Sequence, residues 1–97
     1  MLKPYLLVFN SSEVTRQSLL DHLDTRPEIK NWFAFLPTGV FVISNHTARQ
    51  LAEAIRVGFP ATNFVVTEIP KGANDGWLNK DAWNFINNPS SSGRWPI

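Results

Sequence analysis

Two short polar segments carry the residues best suited to chemistry. Asn10-Ser11-Ser12 and Ser44-Asn45-His46-Thr47 each follow an apolar run and precede a stretch with helical spacing, with Arg16 and Arg49 about a turn further on. Ser, Thr and Asn side chains accept hydrogen bonds from the free N–H groups of a helix's first turn. A helix start also carries partial positive charge, so the ligand class for such a place is phosphate or carboxylate. Asn10, Ser11, Ser12, Arg16, Asn45, His46, Thr47 and Arg49 therefore form a candidate anion-binding set. Ordinary capping and solvated arginines account for the same residues.

Catalytic groupings are not evident. Histidine is a common general acid or base, and His46 lies in a polar loop while His22 stands between Asp21 and Asp24, but neither has a Ser or Cys partner at a recognisable spacing. No His-x-x-x-His pair suggests a metal, the Asp21/Asp24 pair reads as a polar helix face, and Glu68 and Asp75 flank a loop. The sequence nominates no catalytic residue, no metal site and no cofactor.

Composition narrows the partners. Nine basic and eight acidic residues are scattered along the chain for a net charge of +1, so no basic block marks a strong nucleic-acid or membrane binder. Cysteine is absent, which excludes disulfides and thiolate sites. The N-terminal residues lack a secretory pattern and no apolar run approaches the roughly 20 residues that span a bilayer. The expectation is a cytoplasmic protein without a membrane partner.

Positioning of the polar segments falls to six elements. Tyr5 to Phe9 is a continuous apolar run that reads as a central strand. Asn10-Ser11-Ser12 would then cap a helix carrying Val14, Leu19, Leu20 and Leu23, which ends before Pro27. Residues 32–36 and 40–43 read as a hairpin around Pro37-Thr38-Gly39. Thr47 with Gln50 forms a capping-box pattern for a helix ended by Gly58 and Pro60, and residues 64–69 make a last strand. The order is β-α-β-β-α-β, a ferredoxin-like α+β sandwich. Strands one and three are expected side by side and parallel, bringing both helix starts to one end of the sheet. Residues 1–88 form the domain, with a polar loop and a further helix from 70 to 88, capped by Asn79. Residues 89–97 read as a flexible tail ending in Arg94-Trp95-Pro96-Ile97.

Both helices of this order cover one face of the sheet. The other face should then alternate to polar, yet Leu6/Val8, Phe33/Phe35 and Phe41/Ile43 are as apolar as the alternate sets. A bare apolar face of that size is uncommon on a monomer. Either the C-terminal helix folds back over it, or a second copy packs there as a two-fold homodimer. Tyr5, Leu7, Phe9, Phe33, Phe35, Phe41, Trp77, Trp83 and Trp95 are the candidate interface residues.

Tyr5-Leu6-Leu7-Val8-Phe9, Trp32 leading to Gly39-Val40-Phe41-Val42-Ile43-Ser44, then Thr47-Ala48-Arg49-Gln50-Leu51 and a late Gly76-Trp77 with Trp83 resemble the small bacterial "SinR family" proteins. Those are similar in turn to the ferredoxin-like dimers of CRISPR-associated endonucleases and VapD-like, toxin–antitoxin-type ribonucleases. That resemblance implies a homodimer, with an Asp at the end of the first strand holding a metal for nuclease chemistry. The matching position here is Asn10, a neutral side chain ill suited to a hard cation. What the sequence supports is a non-catalytic homodimeric interaction module with a protein or nucleic-acid partner. A metal-dependent nuclease and a small-anion or nucleotide sensor are the alternatives.

Overall fold

Seven elements follow one another: β1 (Lys3–Phe9), α1 (Arg16–Asp24), β2 (Asn31–Leu36), β3 (Gly39–Ser44), α2 (Ala48–Gly58), β4 (Phe64–Glu68) and α3 (Lys80–Asn87). The structure is a computed structural model that describes residues 1–89. Arg94, Trp95 and all but the first residue of the expected tail lie outside the described residues.

Local side-chain chemistry sets the helix boundaries. Asn10-Ser11-Ser12 does not cap α1. The Asn10 carboxamide oxygen instead accepts from the Ser12 N–H at 3.0 Å and the Ser12 hydroxyl at 2.7 Å, forming a turn of its own. The helix starts later, where Thr15 adopts extended backbone angles and its hydroxyl accepts from the Ser18 N–H at 3.1 Å. The capping box of α2 is as the sequence implied: Thr47 Oγ1 accepts from Gln50 N–H at 3.1 Å, and Gln50 Oε1 accepts from Thr47 N–H at 2.9 Å. Asn79 caps α3 through the Ala82 N–H at 2.8 Å.

The strands form one sheet in the order β2-β3-β1-β4 with every neighbouring pair antiparallel. This is a four-stranded antiparallel α+β arrangement, compatible with a ferredoxin-like fold. It also corrects one expectation, because β1 and β3 run in opposite directions. The crossover through α1 brings β2 back parallel to β1 with one strand's width between them. The tight Pro37-Thr38 turn then reverses the chain into that gap.

Each face of the sheet has its own core. Tyr5, Leu7, Phe9, Val40 and Val42 lie under α1 and α2, packed with Leu19, Leu20, Leu23, Leu51 and Ile55. On the opposite face Phe33, Phe41 and Ile43 pack against Ala82, Phe85 and Ile86 of α3. These three α3 residues recur at i, i+3 and i+4, the spacing of one helical stripe. Every residue of β3 is buried, since it has a strand on either side and helices above and below.

Candidate functional site

Antiparallel pairing separates the two polar segments. Lys3 of β1 stands opposite Ser44 of β3, and Val8 stands opposite Gly39. Residues 10–12 therefore lie at the end where β3 begins, and residues 45–47 at the end where β1 begins. With roughly 3.4 Å per residue along a seven-residue strand, about 20 Å separates them. The eight candidate anion-binding residues do not converge. Arg16 donates to the Ala34 carbonyl, and the exposed Arg49 lies 3.4 Å from Glu53 one turn along α2. Asn10, Ser11 and Ser12 sit on the exposed loop.

His46 is half-buried, and its main chain is anchored on both sides. Its carbonyl accepts from the Tyr5 hydroxyl at 2.6 Å, and its N–H donates to Ser44 Oγ at 2.9 Å. Ser44, fully buried, donates a hydrogen bond from its own hydroxyl to the Glu28 carbonyl at 2.6 Å. These bonds tie the end of β3 to β1 and to the turn before β2. Nearby, the Arg26 guanidinium grips the Glu28 carboxylate through Nε and Nη2 at 3.3 and 3.2 Å, holding that carboxyl below its usual range. Burial raises the Tyr5 phenol above its ordinary value, with a smaller push from the Glu68 charge directly across the sheet. Among the described residues no three His, Cys, Asp or Glu side chains gather in a way that could hold a metal ion.

Of the candidate interface residues, Tyr5, Leu7 and Phe9 belong to the core beneath α1 and α2, at 4% exposure or less. They alternate away from the face in question, a distinction that a continuously apolar strand conceals. Phe33 and Phe41 are on that face but lie under α3. Phe35 at 42% and Trp77 at 99% are exposed, Trp83 is partly buried, and Trp95 lies outside the described residues.

The C-terminal helix is thus a cover for the second face, and an incomplete one. Register places Leu36 opposite Gly39, Gly39 opposite Val8, and Val8 opposite Val65. This rung crosses all four strands with no polar side chain. Leu36 and Leu6 lean over Gly39, where an added Cβ would come within 3.3 and 3.6 Å of them. Val8 at 38% and Val65 at 57% stand open to solvent, and Val65 lies on the edge strand. Sequence reading missed Val8, Leu36 and Val65 as a set, because only the register aligns them. Beside the rung, a groove of about 330 Å³ runs between the sheet, the loop of residues 70–78 and α3, with Trp77 and Trp83 in its walls.

Comparison with known protein families, curated proteins and solved structures finds no match. Among the described residues no helix is long and apolar enough to cross a membrane.

Proposed function

We propose that this chain is a non-catalytic interaction module of the ferredoxin-like kind, which pairs with a second copy of itself through the uncovered part of its sheet. The Leu36-Gly39-Val8-Val65 rung carries this reading, since it is apolar from one sheet edge to the other and open at the β4 end. Edge strands of soluble proteins are commonly protected by lysine, proline or a covering loop. β4 contains no lysine and no proline, and its one charge, Glu68, stands at the strand's end opposite Tyr5. A two-fold axis beside β4 would set one Val65 against another and join the two rungs into one strip. A net charge of +1 opposes such pairing little. The reading keeps the dimeric scaffold of the families that the sequence resembles and leaves out their metal chemistry, for Asn10 is engaged by Ser12.

Sedimentation velocity across a micromolar concentration series tests this. Wild type should sediment as a dimer, and Val65→Lys as a monomer with unchanged circular dichroism, because Val65 already faces water within one chain. A wild type that stays monomeric throughout, or a Val65→Lys variant that stays dimeric, would overturn the reading.

A further inference from the structure

In the loop before α3 the backbone is placed to react with its own side chain. Asp75 is followed by Gly76, and no other aspartate or asparagine of the chain precedes a glycine. The carboxyl carbon of an aspartate and the next peptide nitrogen can close a five-membered ring. Most residues crowd that closure with their Cβ, and glycine has none. The Gly76 N–H donates to Asp75 Oδ1 at 2.7 Å, so the carboxyl group already lies against the nitrogen that would attack it. Residues 74–79 belong to no helix or strand, and residues 74–77 are exposed. A Cβ built on Gly76 would meet nothing within 4 Å, so its surroundings leave the peptide free to turn.

Other positions lack one requirement or another. The Trp32 N–H donates to Asn31 Oδ1 at 2.9 Å in the same manner, but that pair is buried in β2 and a tryptophan follows the asparagine. After Asn45 the attacking nitrogen would be that of His46, which Ser44 Oγ holds at 2.9 Å. The Asn63 carboxamide is bound to Glu13. We infer that Asp75-Gly76 is a self-modification site, where the folded chain forms a succinimide and then an isoaspartyl linkage. The protonated Asp75 carboxyl gives up its O–H and the Gly76 nitrogen its proton, together one water, as the nitrogen bonds to Cγ. Proximity within one chain drives the step, and it consumes no oxidant or cofactor. Water then adds to one of the two ring carbonyls. Opening at Cγ restores aspartate. Opening at the main-chain carbonyl sends the backbone through Cγ, one methylene longer, and frees the α-carboxylate. The change falls beside Trp77 in the wall of the groove. It needs a single chain, so it stands apart from pairing through β4.

Incubating the full chain in ¹⁸O-labelled water, followed by digestion in ordinary water and mass spectrometry, tests this. The peptide containing Asp75 should gain solvent oxygen. It should also accept a methyl group from S-adenosylmethionine through an isoaspartyl methyltransferase, which esterifies the freed α-carboxylate. Both signals should accumulate in the folded chain about as fast as in the urea-unfolded chain, because nothing in the loop protects the site. Asp75→Glu, which would have to close a six-membered ring, should lose both signals, and Gly76→Ala should lose most of each. Both positions are exposed and Gly76 has no left-handed φ, so folding is spared. A wild type without either signal, a folded chain that stays inert while the unfolded chain reacts, or signals that persist in Asp75→Glu would overturn the inference.

Discussion

Gly58 offers a sharp test of how the two helices on one face are locked together. It ends α2, and a Cβ placed there would lie 2.7 Å from both Cε1 and Nδ1 of the His22 ring and 3.0 Å from its Cγ. The ring has little reason to move. Its Nε2 lies 2.9 Å from the Ala54 carbonyl, which assigns the proton to Nε2, and it meets Phe59 edge-on at 5.3 Å. In Gly58→Ala the ring must swing out and lose both contacts. The hydrogen bond is worth about 1 kcal/mol, and the aromatic pair adds about 0.5–1.5 kcal/mol. Against this, alanine gains up to about 1 kcal/mol over glycine in a helix, less at its last residue. The balance is a net destabilisation of about 1 kcal/mol, or roughly 4–8 °C in Tm for a domain this size. With His22→Ala in the background the clash is gone, and the same substitution should stabilise by a few tenths of a kcal/mol. Urea unfolding of the four proteins of this cycle measures the coupling directly. If Gly58→Ala stabilises the protein while His22 is present, the packing argument is refuted.

Three further outcomes follow from the same structure. Phe85→Ala should cost about 3 kcal/mol or more and, by loosening α3 over Phe33 and Phe41, should increase binding of a hydrophobic dye; unchanged dye binding would contradict the role of α3 as a cover. Thr47→Ala should lose about 1 kcal/mol in chemical denaturation and Thr47→Ser much less, since the serine hydroxyl can still accept from Gln50. Tyr5 is the sole tyrosine, so ultraviolet absorbance in an alkaline titration reports it alone. Its folded value is raised above 10.0, so the folded chain keeps a proton that the unfolded chain releases. That contribution is complete below pH 10 and is lost as pH climbs through the folded value, and Tyr5→Phe should flatten this alkaline loss of stability.

The sequence was informative wherever one residue type answers a local need. Thr47 with Gln50, Asn79 and the Pro37-Thr38 turn marked boundaries because capping and reversal are short-range chemistry. Asn10 misled for a related reason: an Asn-Ser-Ser run satisfies its own turn as readily as it caps a helix, and the later Thr15 took the cap. The oily second face was legible as a surplus of apolar positions. Its cover was not, since i, i+3, i+4 spacing in Ala82, Phe85 and Ile86 shows a buried stripe without saying what it is buried against. Strand direction was the costliest gap. It depends on the path of the whole chain, and reversing it moved residues 45–47 to the far end of the sheet from Asn10.

Antiparallel pairing of β1 with β3 also governs the electric field of the domain. Since α1 returns from β1 and α2 from β3, the two helix axes point opposite ways. The positive head of one macrodipole, about half an elementary charge, then sits nearer the negative tail of the other. At a distance their fields largely cancel, so this pair of helices adds little to any electropositive pole of the domain.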